Sequence, residues 1–284
     1  MNRYPFYLVN VFAQSHFAGN PLAVFPFADG LTDEQMQNIA QQFNLSETVF
    51  IFSSSDKTAV ADLRIFTPSY EMAFAGHPTL GSAFVLKQLY HLPDEFILNT
   101  KAKPVQIFAN KTHVQLKIHG FKILASKADK SSLADLSGLK ATDIAGRAYF
   151  VDSGTLQILM ELSSRQALKN SHIDMVKLRS LNMESPFKSS EPSIYLWCAD
   201  DDKIFARMFF EQNGVMVEDG GTGSACANLG AYFISQNHYP TTKQIYQGDD
   251  MGRANRLALS VDDKQNIYVG GDVIEVGRGE FYVS

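Results

Sequence analysis

Short apolar runs, rich in aromatic and β-branched residues and broken by turn residues, set the rhythm of the chain. Such runs predict strands. In the first half they fall at Tyr7 to Phe12, Leu22 to Phe25, Thr48 to Phe52, Ala59 to Phe66, Phe96 to Leu98 and Val114 to Ile118. In the second half they fall at Ala148 to Ser153, Leu156 to Leu162, Ser193 to Ala199, Ala206 to Phe210, Gln244 to Gln247, Arg256 to Val261, Asn266 to Gly270 and Val273 to Tyr282. Helical spacing is sparser. Met36, Ile39, Ala40 and Phe43 recur at helical period behind Thr32, and Gln35 stands three residues on, which is the capping-box spacing. That pattern predicts a helix to about Gln42. Others are expected at Thr79 to Leu89, Lys130 to Leu136 and Ser224 to Gln236. The polar stretch Lys122 to Gly146 reads as a domain junction carrying the short helix. Many strands with one substantial helix per half predict an α+β chain of two domains.

Composition narrows the function. The chain has 284 residues, 45% hydrophobic and 19% charged, enough apolar material for a large core and too much for disorder. Net charge is −5, which argues against nucleic acid as a partner. No apolar run reaches the length of a membrane span, and the first residues lack a signal-peptide pattern, so a cytoplasmic protein is expected. Two cysteines, Cys198 and Cys226, exclude a disulfide framework and an all-cysteine zinc site. The histidines show no metal-ligand spacing, and no nucleophile elbow occurs.

Three segments carry candidate chemistry. Asp219-Gly220-Gly221-Thr222-Gly223-Ser224 opens a helix, where free N–H groups and the helix dipole favour an anion. The same pattern also serves as a tight turn capped by Asp219 or Ser224. Gly76-His77-Pro78-Thr79 opens the long helix of the first half, and the positive helix end favours a neutral imidazole at His77. That ring equally fits a local backbone role. Glu47 lies between a helix and an apolar strand, where desolvation raises a carboxyl pKa toward the proton-transfer range, or where it simply faces solvent. The two Gly/Thr/Ser helix starts form a faint internal echo, as in a duplicated domain with a site in the cleft between the halves.

These segments fall together with others in one order. Val9-Asn10-Val11-Phe12 and Gly19-Asn20-Pro21-Leu22-Ala23-Val24 precede Ser46-Glu47-Thr48-Val49-Phe50. Arg64-Ile65-Phe66-Thr67-Pro68 and Phe74 to Gly81 follow, then Glu218-Asp219, Thr222 to Ala225, Gln247-Gly248 and Gly252-Arg253. In these blocks the chain resembles the PhzF family, the phenazine-biosynthesis-like isomerases. The resemblance implies two similar domains of diaminopimelate epimerase-like fold, each a β-barrel-like sheet around a central helix. They are expected at 1–121, with the C-terminal strand 273–284 packing back on it, and at 122–272. It implies Glu47, His77 and Asp219 as catalytic residues, and Asn20, Ser46, Gly76, Thr222, Gly223 and Ser224 as substrate-binding residues. It implies no metal and no cofactor, a homodimer, and a small carboxylate substrate whose proton is moved along the molecule. In the phenazine enzyme that substrate is trans-2,3-dihydro-3-hydroxyanthranilate.

The chain departs from the family pattern at Gly220-Gly221, where Pro usually follows the Asp, and at Ala254-Asn255, where Pro-Ser is common. The greater backbone freedom of Gly220 bears on substrate identity more than on fold. Two other activities remain open: a catalytically silent small-molecule binding protein, and an amino-acid racemase or epimerase. The second would work without the usual pair of thiols, since Cys226 has no partner cysteine in the first motif.

Overall fold

The computed structural model describes residues 1–187, 191–212 and 214–283. The chain divides into two compact units, Met1–Lys117 with the chain from Gly270 onward, and Ile118–Val269.

The first unit contains β1 (Asn2–Val11), β2 (Asn20–Phe25), α1 (Asp33–Phe43), β3 (Thr48–Ser53), β4 (Ala61–Phe66), β5 (Glu71–Met72), α2 (Gly76–Tyr90), β6 (Glu95–Thr100), β7 (Pro104–Asn110) and β8 (His113–Ile118). Pairing runs β1–β2 antiparallel, β2–β3 parallel, β3–β4 antiparallel, β4–β6 parallel, then β6–β7–β8 antiparallel. The C-terminal strand Ile267–Val283 pairs with β8 and runs antiparallel to β1 from Asn2↔Val283 to Val11↔Val273. Eight strands therefore close on themselves, which leaves no free edge.

The two parallel steps need crossovers, and the helices supply them. Helix α1 connects β2 to β3 and packs outside the sheet, where Phe25 stacks on Phe50 with ring centroids 5.0 Å apart. Thr32 is its N-cap, and the capping box with Gln35 is formed. Helix α2 connects β4 to β6 and is buried all round from His77 to Leu86, as a helix apolar on every face requires. Gly81 permits its close approach: a Cβ there would lie 2.5 Å from Leu22 Cδ2.

The second unit repeats this scheme. It contains β9 (Lys122–Ala125), α3 (Lys130–Ser137), β10 (Ile144–Asp152), β11 (Leu156–Leu162), α4 (Arg165–Asn170), α5 (Met175–Met183), β12 (Ser193–Asp200), β13 (Lys203–Gln212), β14 (Val215–Asp219), α6 (Gly223–Ser235), β15 (Thr241–Gln247) and β16 (Asn255–Val261). Again β10–β11 is antiparallel, β11–β12 parallel, β12–β13 antiparallel, β13–β15 parallel and β15–β16 antiparallel. Helix α6 takes the place of α2 and is buried from Ala225 to Ala231, with Gly230 against Ile267 and Leu259. In both units a hairpin partner, β5 or β14, comes directly before the central helix. Each is clamped by a two-pronged ion pair, Arg64 on Glu71 at 2.8 and 2.9 Å and Arg207 on Glu218 at 2.9 and 2.8 Å. The architecture is α+β, two similar barrel-like sheets around central helices.

Several elements differ from expectation. Strands β5, β7, β9 and β14 and helices α4 and α5 were not anticipated, and the strands expected at 266–270 and 273–282 are one continuous strand, Ile267–Val283. Gly270 lies inside that strand, not at a turn. Its bare Cα lets the backbone pass β8, where a Cβ would meet the Val114 carbonyl at 2.3 Å. No helix is long and apolar enough to cross a membrane among the described residues.

Candidate active site

In the first unit the residues gather round the start of α2. Asn44 ends α1 in the left-handed conformation, φ 50°, and turns the chain so that Leu45, Ser46 and Glu47 lead straight into β3. His77 stands in the first turn of α2, where Pro78 has no N–H to leave unsatisfied. The two side chains meet: His77 Nε2 is 3.3 Å from Glu47 Oε2, and they are 8% and 15% exposed. Burial pulls the His77 pKa down to about 3, and a hydrogen bond to the Pro21 backbone opposes this. The ring is neutral near pH 7, as expected, although burial is the dominant cause. A neutral imidazole carries one N–H, and Pro21 offers only a carbonyl. The N–H therefore goes to Pro21 and Nε2 faces Glu47 with its lone pair. Such a pair can hold and pass one proton.

Asn20 opens β2 and is buried. Gly19 sets it there with φ +82°, and a Cβ would meet Ala13 Cβ at 2.6 Å and the Val11 carbonyl at 2.7 Å. Gly76 begins α2, behind an N-cap, Ala75, that offers no side-chain cap. The helix's first N–H groups are thus left without a cap from that side chain. Ser46 is exposed, beside Glu47 in the chain.

In the second unit Asp219 ends β14. Its carboxylate accepts from the Thr222 hydroxyl at 2.5 Å and the Gly221 N–H at 3.3 Å. The residue is partly exposed, but the protein packed round its carboxylate raises its pKa, with the bonds from Thr222, Gly221 and Gly220 opposing. Thr222 is the N-cap of α6 yet makes no capping bond, because its hydroxyl is turned to Asp219. Gln247, buried on β15, holds this turn: its amide donates to the Asp219 carbonyl at 2.8 Å and to Thr222 Oγ1 at 2.9 Å, and accepts from the Thr222 N–H at 3.3 Å. Gly223 starts the helix. Ser224 Oγ accepts from Gln157 at 2.9 Å, and Gln157 is fixed in turn by Asn228 at 2.8 Å. As the acceptor in that bond, the Ser224 hydroxyl keeps one proton to donate.

The departure at Gly220-Gly221 has a local cause. Asn255, itself at the second departure, fills the space beside Gly221, where a Cβ would lie 2.4 Å from Asn255 Oδ1. Cys226, in the first turns of α6, is fully buried, and burial pushes its thiol pKa up, so it is no ready nucleophile. Gln247 and Gln157 were not anticipated as site residues. Gln247 lies in a quoted block, and its polar side chain in a half-apolar strand was the available signal. Among the described residues no group of three or more His, Cys, Asp or Glu could hold a metal ion.

Each unit is a barrel-like sheet round a central helix whose N-cap side chain makes no capping bond, with Glu47 and His77 beside one helix start and Asp219 beside the other. Residues 9–279 match the profile of the phenazine biosynthesis-like proteins, and the chain belongs to that PhzC-PhzF family. An uncharacterised isomerase of Pasteurella multocida is 45% identical over 281 residues, covering 99% of this chain and 94% of the other. The trans-2,3-dihydro-3-hydroxyanthranilate isomerase of Pseudomonas chlororaphis is 30% identical over 288 residues, covering 96% and 97%. The crystal structure of a Bacillus anthracis phenazine biosynthesis protein of the PhzF family superposes with a TM-score of 0.85 over the whole of both chains, at 23% identity. The chain is an isomerase of this family acting on a small substrate.

Proposed function

We propose that the isomerase moves a proton on a small amino or hydroxy carboxylate without a cofactor, with Glu47 carrying the proton. The single observation behind this reading is the 3.3 Å approach of neutral His77 Nε2 to Glu47 Oε2 in a shielded setting. Glu47 takes a proton from a carbon next to the substrate's unsaturation, the electron pair shifts along the system, and the proton returns to another carbon. His77 tunes and orients Glu47. Asp219, raised in pKa and fixed by Thr222, binds the amino or hydroxyl substituent. N–H groups in the first turns of α2 and α6 suit the substrate carboxylate and the anion that develops in the transition state. Asn20, Ser46, Gly76, Thr222, Gly223 and Ser224 shape the pocket. A positioned acid–base of this kind supplies about 10²–10⁴-fold of the rate. An amino-acid racemase or epimerase with carboxylates in place of thiols would instead put solvent deuterium at a substrate Cα with inversion, and a silent binding protein has no need of a carboxylate beside a neutral imidazole.

The relative from Pseudomonas chlororaphis makes trans-2,3-dihydro-3-hydroxyanthranilate the first substrate to try. Wild type and Glu47→Gln are incubated with it in D₂O and followed by proton NMR. Turnover with deuterium incorporation by wild type alone supports the reading, and no turnover by wild type removes this substrate. A panel of small amino and hydroxy acids follows in the same assay, and a mutant as active as wild type on any of them overturns the role of Glu47. The working form is proposed as a cytoplasmic homodimer, which light scattering on the purified protein tests.

A further inference from the structure

A cavity of about 530 Å³ lies at the opposite end of α6 from Asp219, lined among others by Glu161, Trp197, Tyr232, Phe233, His238 and Lys243. Glu161 sits on β11 directly beside Trp197 of β12. Neighbours in register share a face of the sheet, and Trp197 packs on Tyr232 and Phe233 of α6, with ring centroids 5.6 and 6.0 Å away. Tyr149 closes on Tyr232 at 5.2 Å from the next strand. The carboxylate is therefore set among aromatic rings at the carbonyl end of a helix.

Little in the protein offsets it. Among the described residues the Glu161 carboxylate makes no side-chain hydrogen bond or close ion pair, and only the charge of His238, on the cavity wall, opposes the effect of burial. Helix α6 has no basic residue in its last turn, so no cationic side chain there offsets its negative end. Lys243, the cation lining the cavity, is turned instead to the Asp201 carbonyl at 3.1 Å and the Asp202 carboxylate at 3.2 Å. Burial raises the Glu161 pKa, and burial followed by the charge of Glu161 pushes the Tyr232 hydroxyl up to about 12. A half-buried carboxylate, a helix carbonyl end and electron-rich ring faces all favour one kind of guest, a positive charge with apolar skin.

We propose that this cavity is a binding site for an organic ammonium ion, held by Glu161 and the Trp197–Tyr232 rings. Glu47, His77 and Asp219 do not line it, so this site and the isomerase reading are tested separately.

The chain's single tryptophan is Trp197, so its fluorescence reports this cavity alone. Wild type is titrated with tetramethylammonium chloride through the millimolar range, against potassium chloride at equal ionic strength. A saturable change in wild type, weakened about tenfold or more in Glu161→Gln, is the expected result. Tyr232→Leu is expected to weaken binding and Tyr232→Phe to keep it. Circular dichroism and thermal melts establish that each variant is folded. Ethylammonium as a second titrant separates a primary amine from a quaternary one, and either response supports the site. The proposal is overturned if wild type shows no saturable change with either ion, if Glu161→Gln binds as tightly as wild type, or if potassium chloride gives the same response. The wild-type titration and the potassium control decide the matter even if a variant fails to fold.

Discussion

His77 Nε2 stands 3.3 Å from Glu47 Oε2, and both side chains are almost shut off from solvent. Thirty residues of sequence separate them, and three elements bring them together: α1, whose end turns Glu47 inward, the β3–β4 pair, and the first turn of α2. The same burial that brings the two groups together holds the imidazole neutral, so geometry and protonation state have one cause.

Stability should depend on pH through this ring. Its folded pKa is about 3 against 6.5 for the free side chain. The unfolded chain takes up a proton below pH 6.5 that the folded chain refuses. The contribution of neutral His77 is therefore complete above that pH and is lost as pH falls from 6.5 toward 3. Across that window the loss approaches about 1.4 kcal/mol per pH unit. Urea unfolding of wild type and His77→Gln between pH ~7 and ~5 measures it. The variant is expected to lack about one proton's worth of slope, and equal slopes would contradict the buried neutral ring.

Thr222 should act through Asp219. Its hydroxyl donates to the carboxylate at 2.5 Å and helps hold down a pKa that burial raises. Removing the hydroxyl with Thr222→Val lets that pKa rise further. The acid limb of the kcat/KM profile is expected to move to higher pH, with the rate down about ten- to a hundredfold, the size of a lost hydrogen bond to a charged group. Thr222→Ser should restore both. A uniform loss without a shifted limb would mean that Thr222 only supports the helix start.

Gly81→Ala tests the fit of the central helix. Alanine in place of glycine gains up to about 1 kcal/mol in helix propensity. Here the new Cβ would lie 2.5 Å from Leu22 Cδ2 and close to Val9 and Val11. Overpacking of this kind costs about 1–3 kcal/mol. The expected sum is a lower urea midpoint, and a higher one would show that β1 and β2 give way easily.

Tyr195→Phe should stabilise the fold. The ring is fully buried on β12, and among the described residues its hydroxyl has no hydrogen-bond partner. Burial holds its pKa well above the ordinary value. An unsatisfied buried hydroxyl costs about 1–3 kcal/mol, so its removal is expected to raise the melting temperature. A fall would point to a partner such as an enclosed water.

Much of this fold is legible in the sequence where local signals agree with the final environment. Thr32 and Gln35 marked the start of α1, and Leu156 to Leu162 carried β11 to the residue. Three kinds of element stayed hidden. The short helices α4 and α5 are too brief to show a period, and their caps, Ser164 and Asp174, are the clearest marks of them. Strand β9 is only four half-exposed residues at the head of a stretch that turns polar after it, so it passed for a linker. Strand β7 alternates buried and half-buried residues, but it begins at Pro104, which has no N–H to give to a ladder and so weakens the strand signal. At Gly270-Gly271 a turn signal carried the opposite meaning, a strand passing close to another backbone. The site shows the same division. The motif around Asp219 named the carboxylate, but Gln247 became its brace only through the β13–β15 pairing, which no local pattern encodes.

The antiparallel ladder between β1 and the last strand has a consequence for synthesis. The strand that closes the first eight-stranded ring follows unit 2 in the chain and so leaves the ribosome after it. Until it emerges, β1 and β8 are open edges, able to pair with any passing strand. Unit 2 is continuous in the chain and can be complete while the ring begun before it still waits for its closing strand. Loss of the closing strand during or after translation, by an early stop codon or by proteolysis, would therefore damage the unit made before unit 2, including the setting of Glu47 and His77.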